Sequence, residues 1–187
     1  MRPTKLKIES KRIILRPINL KDNRAIFNYR SDAKTNQYQA FVPQTLQEVD
    51  AFITKNPAEF NQPETWFQLV IIEKNSHKLV GDLGIHFMGN DGFQCELGCT
   101  LSKTQQGQGF ATEAMTLAID YLFEVLNKHR IICSVDPDNT DSVRLLKRLN
   151  FRKEAHFKKS FLNDGKWVDD CIYALLNNEW KHRKNNT

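Results

Sequence analysis

Three strand-like runs follow one another in the middle of this 187-residue chain with only short polar connections between them, and that spacing constrains the fold more than any other feature. Trp66–Glu73, Leu79–Met88 and Gln94–Leu101 are separated by Asn75-Ser76-His77-Lys78 and Gly89-Asn90-Asp91-Gly92. Connections of this length and composition make an antiparallel meander. In the second run Leu79, Gly81, Leu83, Ile85 and Phe87 alternate with Val80, Asp82, Gly84 and His86, which predicts one apolar face and one more polar face.

The flanking segments complete one domain. Lys7 to Pro17 mixes β-branched residues with charges and stops at a proline, so it reads as a first strand. Leu20 to Tyr29 reads as a helix, and Thr45-Leu46-Gln47-Glu48 resembles a capping box opening a second one, ended by Pro57 and Pro63. After Gly109, Ala111, Ala114, Met115, Ala118, Leu122, Val125 and Leu126 recur at three- and four-residue steps, a helix of about five turns. Arg130 to Val135 is then a short strand and Thr140 to Leu149 a helix. Phe151 to Phe161 and Trp167 to Leu176 are closing strands about the turn Asn163-Asp164-Gly165-Lys166. The expected architecture is α/β (α+β), a mixed and mostly antiparallel sheet of about seven strands flanked by about four helices. It occupies residues 1–180 as a single domain, with 181–187 as a flexible basic tail.

Composition narrows the function classes. Apolar residues make up 40% and charged residues 26%, an ordinary globular balance that excludes a long disordered region. No run of eighteen apolar residues exists, and the Lys/Arg-rich segment from Met1 to Arg16 lacks the apolar stretch of a signal peptide, so the protein is expected in the cytoplasm, away from membranes. Cys95, Cys99, Cys133 and Cys171 form no Cys-x-x-Cys pair and read as reduced small hydrophobes, not metal ligands. The net charge of +5 comes from 27 basic residues set against 22 acidic ones spread along the chain. Only Lys181-His182-Arg183-Lys184 is a dense basic run, read as a solvated terminus, and no direct nucleic-acid contact is expected.

The chemistry lies in the segment from Glu96 to Ala114, where a strand feeds a glycine-containing turn, Gln106-Gly107-Gln108-Gly109, that opens the long helix. Glycines permit close approach and positive φ, while the unpaired amides and positive end of a helix favour an anion such as a phosphate. A Gly-x-Gly before a helix is also a common plain loop. There is no P-loop pattern, and the pair comes too late in the domain for a dinucleotide fingerprint, which disfavours nucleoside triphosphates and NAD.

Gln106-Gly107-Gln108-Gly109-Phe110-Ala111 resembles the Gln/Arg-x-x-Gly-x-Gly/Ala motif of the GNAT acetyltransferase superfamily. Asn139 to Phe151 is similar to that superfamily's Asn-x-x-Ser/Ala-x-x-Leu-x-x-Lys/Arg-x-Gly-Phe segment, and the likeness runs over nearly the whole chain, nearest to the ribosomal-protein N-terminal acetyltransferase branch. The resemblance implies an acetyl-CoA-dependent N-acetyltransferase acting on an amine, including a ribosomal or other protein N-terminus, as a monomer or homodimer. Aminoglycosides, polyamines and a non-catalytic acyl-CoA-binding role stay open. Two positions depart from the pattern: Leu146 stands where many relatives carry a tyrosine general acid, and Asn150 replaces the usual glycine before Phe151.

By the same resemblance, coenzyme A is held by the backbone around Cys99, Thr100 and Leu101, by Gln106, Gly107, Gln108, Gly109, Phe110, Ala111 and Thr112, and by Asn139 and Arg148. Glu96 shares a strand face with Gly98 and Thr100 and is the candidate base; its alternative is a cross-sheet ion pair. Ser142 matches the serine that donates a proton to the departing thiolate in the ribosomal branch, and its alternative is a helix-capping hydroxyl. Asn139 also suits a plain helix cap, Arg148 a solvated charge and His86 a structural role. The acceptor site is expected between the first two helices, the loop from Ser31 to Thr45 with Tyr38 and Phe41, and the last hairpin.

Overall fold

The computed structural model describes residues 6–163 and 165–185. Its centre is a single sheet of eight strands: β1 (Ile8–Glu9), β2 (Ile13–Pro17), β3 (Thr65–Glu73), β4 (Leu79–Met88), β5 (Gln94–Leu101), β6 (Arg130–Val135), β7 (Arg152–Asn163) and β8 (Lys166–Leu176). The spatial order is β1-β2-β3-β4-β5-β6-β8-β7, and every pair is antiparallel except β5 with β6. β3–β4–β5 is the expected antiparallel meander, and its register sets Trp66 opposite His86 and His86 opposite Glu96.

The expected first strand is two, which raises the strand count from seven to eight. At Ser10 the chain folds back, and the Ser10 hydroxyl accepts the N–H groups of Arg12 and Ile13, both at 3.2 Å, so the polar stretch between Ile8 and Ile13 becomes a turn.

Five α-helices flank the sheet: α1 (Asn23–Arg30), α2 (Leu46–Thr54), α3 (Phe110–Asp120), α4 (Thr140–Arg148) and α5 (Asn177–Asn185). α5 is the helix beyond the four expected. It docks through Trp180, which is 2% exposed and whose Nε1–H donates to Asp120 Oδ1 at 2.7 Å. The backbone of the expected basic tail is thereby helical through 185, while Asp164 of the hairpin turn and residues 186–187 lie outside the described residues. The helix expected to run from Ala111 through Leu126 is α-helical only to Asp120. Tyr121–Val125 forms a π-turn closed by Leu126 N–H to Tyr121 O at 3.1 Å, and the adjacent Leu122 and Phe123 are both buried there.

Two cores result. On one face, Phe67, Leu69 and Ile71 of β3, Leu83, Ile85 and Phe87 of β4, and Cys95 and Leu97 of β5 pack with Ala114, Met115 and Ala118 of α3. On the other, Ile26 and Tyr29 of α1 and Val49 and Ile53 of α2 cover Val70. Asp82 of the polar half of β4 faces this second layer, where it meets Arg30 (Nε–Oδ2 2.7 Å, Nη2–Oδ1 2.5 Å) and the Tyr29 hydroxyl. At the bulge opposite Ile71 and Ile72 the expected alternation breaks, with Val80 packed in the first core and Leu79 against the second. Burial opposes the charge on Arg30, and the Asp82 carboxylate more than offsets it, so the guanidinium pKa is raised. Asn150, at φ 65°, ends α4 in the left-handed conformation that its glycine-like position requires; Asn150 and Phe151 donate to Lys147 O and Leu146 O, both at 3.0 Å. No helix among the described residues is long and apolar enough to cross a membrane.

Candidate functional site

The one parallel contact in the sheet is short. β5 and β6 pair at Gln94–Arg130, Cys95–Ile131 and Glu96–Ile132 and then diverge. Leu97, Gly98 and Cys99 on one side and Cys133, Ser134 and Val135 on the other become walls of a cleft of about 370 Å³. α4 and α3 supply an apolar lining with Leu145, Leu146 and Met115, and Asn139 and Ser142 reach it from the start of α4. Tyr38, Gln39, Ala40, Trp66, Phe161 and the carboxylates Asp136, Asp169 and Asp170 complete its lining.

Glu96 sits where the strands part. Burial raises its carboxyl pKa; the facing His86 imidazole acts against that, Asp170 adds to the rise, and the Ser134 amide is a smaller opposing influence. The basic group that faces it across the sheet is His86, with Nδ1 3.9 Å from Glu96 Oε2, too long for a hydrogen bond. His86 stacks on Trp66 (centroids 4.9 Å apart, 10° between planes) and does not line the cleft. Gly98, two residues along the same face, is exposed, and a Cβ built there would meet nothing within 4 Å, so it forms an open floor.

Ser142 is not the cap of its helix: its own N–H donates to Asn139 Oδ1 at 3.2 Å, and Asn139 is the N-cap. Leu146, one turn on, is buried at 4% exposure, so the cleft wall is apolar where relatives are expected to carry a tyrosine hydroxyl. Glu96, Cys99, Asn139 and Ser142 therefore share one cleft.

Thr100, Leu101, the segment from Gln106 to Thr112 and Arg148 do not line it. Most of these gather at the start of α3. Gly107 (φ 75°) and Gly109 (φ 83°) are left-handed, and no side chain caps α3, whereas α2 and α4 are capped by Thr45 and Asn139. The first-turn amides of α3 thus face outward without a capping acceptor. Arg148 Nη1 donates to Thr112 Oγ1 at 3.1 Å, which places a cation beside that turn. Thr100 is buried, and its hydroxyl is engaged on the α1 side of the sheet.

Several site residues carried no sequence signal strong enough to single them out. Arg12 lies over the Phe110 ring at 4.9 Å, pairs with Glu113 at 2.6 Å and donates to Gln108 O at 3.2 Å, bracing the glycine turn from the bend just before β2. Asp136 and Asp170 line the cleft without an ion pair among the described residues; Asp170 accepts from Ser134 Oγ at 2.7 Å. Asp169 is instead neutralised by Lys158 at 2.8 Å and His156 at 2.7 Å, which hold its pKa far below the usual range.

Comparison with known sequences assigns the family to which this cleft and the glycine turn opening α3 belong. Residues 12–152 match the Acetyltransferase (GNAT) domain, and the chain belongs to the GNAT acetyltransferase family as an N-acetyltransferase. It is 29% identical over 174 residues, 92% of this chain and 98% of the relative, to the uncharacterised N-acetyltransferase YnaD of Bacillus subtilis (strain 168). It is 32% identical over 123 residues, 65% of this chain and 63% of the relative, to the ribosomal protein uS5-alanine N-acetyltransferase of Escherichia coli (strain K12). A spermidine N(1)-acetyltransferase of Vibrio cholerae is 26% identical over 88% of each chain. A solved GNAT-family acetyltransferase from Bacillus anthracis superposes with a TM-score of 0.84 at 27% identity, covering 93% of this chain and all of that one.

Proposed function

We propose that the protein transfers acetyl from acetyl-CoA to the α-amine of a peptide or protein, with Glu96 as base and Ser142 as acid. The observation that carries this is the meeting of Glu96 from β5 and Ser142 from α4 in one cleft beside the α3 N-terminus. The amides of Gly107 to Thr112 and the Arg148 guanidinium suit the pyrophosphate and adenosine phosphate of coenzyme A, and Asn139 suits its pantetheine arm. Glu96, its proton affinity raised by burial, takes the amine proton directly or through water; a backbone amide around Cys99 to Leu101 stabilises the oxyanion; the Ser142 hydroxyl protonates the departing thiolate. Transfer is direct. Burial pushes the Cys99 thiol up to about 12 and raises Cys133 too, so neither flanking cysteine is a thiolate able to carry the acetyl group at neutral pH.

An α-amine has a pKa near 8 against about 10.4 for a lysine side chain, so at neutral pH far more of it is the neutral nucleophile. The likeness to the uS5-alanine enzyme supports the same acceptor. Matched peptides with free and acetyl-blocked N-termini, each containing one lysine, decide it by thiol release: the free peptide is expected to react faster by at least about tenfold, in line with that pKa gap. Equal rates would remove the α-amine assignment. A polyamine is the second reading, favoured by Asp136 and Asp170, which have no ion pair among the described residues, and by the spermidine enzyme; spermidine outpacing every peptide would promote it.

Donor binding has its own test. Acetyl-CoA at about 100 times its Kd stabilises a folded protein by about 2.7 kcal/mol, or about 5–10 °C in a domain of this size. Gly109→Val puts a β-branched residue at φ 83°, with its Cβ 3.4 Å from Arg12 Nη2, and turns the α3 amides from the ligand. That variant is expected to show no acetyl-CoA shift relative to its own ligand-free Tm; a shift of wild-type size would place the pyrophosphate elsewhere.

A further inference from the structure

Resting on the α-amine reading above, we infer that the Gln39 carboxamide is a substrate-binding group whose N–H₂ donates to the first carbonyl of the acceptor peptide, and that Thr100 is the residue that orients it. Gln39 lies in the loop after α1 and borders the acceptor end of the cleft. That loop is held from below: Asn36, 1% exposed, donates to Tyr29 O at 2.6 Å and Asp32 O at 2.9 Å, and Gln39 N–H donates to Asn36 O at 2.8 Å. It is also held across the cleft, by Asn163 Nδ2 to Gln37 O at 3.0 Å and by the Tyr38 hydroxyl to Asp138 O at 3.3 Å.

The orientation of the Gln39 amide follows from counting protons. Asp82 and Thr100 are cross-strand neighbours on β4 and β5, and Arg30 grips the Asp82 carboxylate with Nε and Nη2. The same Nη2 reaches Thr100 Oγ1 at 3.2 Å. A guanidinium only donates, so Thr100 must accept from it and keeps a single proton to give. Gln39 Oε1 stands 2.9 Å away as the acceptor for that proton, and no other acceptor for it occurs among the described residues. Thr100 is 7% exposed, so leaving its proton unbonded in a flipped arrangement would cost a buried hydrogen bond. The chain Arg30→Thr100→Gln39 therefore turns Oε1 toward the sheet and leaves Nε2, which has no partner among the described residues, as the outward donor.

The placement fits an amino-acyl group. Glu96, Gly98 and Thr100 lie on one face of β5 at steps of about 7 Å, the two-residue rise of a strand. An amine above the open Gly98 floor has the Glu96 carboxylate on one side and the Gln39 donor, seated over Thr100, on the other. In a peptide the first carbonyl carbon is two bonds from the amine nitrogen, so a donor beside the amine can reach its oxygen. A polyamine offers no carbonyl to this donor.

The test uses L-alanine anilide and its reduced analogue, with CH₂ in place of the carbonyl, assayed with wild type, Gln39→Ala, Thr100→Val and Thr100→Ser. Losing one net hydrogen bond costs about a factor of ten, so kcat/KM on the anilide is expected to fall about tenfold more than on the reduced analogue in Gln39→Ala and Thr100→Val. Thr100→Ser, which keeps the hydroxyl, is expected to restore discrimination, and the KM for acetyl-CoA to stay put in Gln39→Ala. Equal losses on the two acceptors, or Thr100→Ser behaving as Thr100→Val, would overturn the inference while leaving the α-amine assignment standing. Failure of wild type to acetylate the anilide at all would overturn both.

Discussion

Glu96→Gln is expected to lower kcat on the accepted amine by about 100- to 10,000-fold, the usual cost of losing one proton-transfer group, with the Kd for acetyl-CoA nearly unchanged. The amide keeps the shape of the carboxylate but cannot take a proton. Wild-type kcat/KM should climb with pH as Glu96 ionises, above the ordinary carboxylate range, because burial and Asp170 hold its proton on; the variant should lose that limb. Stability moves the other way. A carboxyl with a raised folded-state pKa supports the fold below its unfolded pKa, and that support is lost as pH rises through the folded value. Ionised Glu96 thus weighs against the fold near neutrality, and Glu96→Gln is expected to match or exceed the wild-type Tm at about pH 7. Ser142→Ala should also reduce kcat more than donor affinity. Stopped-flow or thiol-release kinetics across pH, with Tm for each variant, read all of this; wild-type kcat in Glu96→Gln would mean that water and backbone suffice.

Asp82→Ala is expected to destabilise the fold by about 3–5 kcal/mol, because it strands the buried Arg30 charge. In a domain of this size that is a Tm loss of about 6–20 °C. Side-chain exposures of 8% for Arg30 and 1% for Asp82 leave little room for water to substitute. The double variant Arg30→Met/Asp82→Ala removes the orphaned charge and is expected to recover part of the loss, since a buried pair gains little over apolar packing while a broken pair costs much. Urea denaturation of the single and double variants closes the cycle; a single-variant loss below about 2 °C would show that solvent reaches Arg30.

The elements that were legible in the sequence are those fixed by local pattern. The β3–β4–β5 meander follows from period-two alternation and short turns, and the α3 start follows from Gly107 and Gly109, whose positive φ only a glycine adopts cheaply. Asn150 belongs here too. What stayed hidden depends on distance in the chain. Arg30 and Asp82 are 52 residues apart, and nothing local marks either as buried. Asp170 borders the cleft because β8 inserts between β6 and β7, a choice of strand order that periodicity does not carry. α5 was missed because Asn177-Asn178-Glu179-Trp180-Lys181-His182 offers Trp180 as its single large apolar anchor, too little for a helical stripe. The split of the first strand at Ser10 turns on two side-chain hydrogen bonds that a hydrophobic pattern cannot show.

The three rungs between β5 and β6 divide the sheet into a five-strand half and a three-strand half. Within each half the strands pair antiparallel, while the joint is also crossed by the shared hydrophobic core and by ties such as Trp180 to Asp120, Asn177 to Phe123 O and Asn163 to Gln37 O. A molecule lying in the splay touches both halves at once and acts as a keystone, so its binding energy and the cohesion of the two halves are one quantity. The seam that has to stay open for chemistry is thereby bridged by the very molecule that fills it.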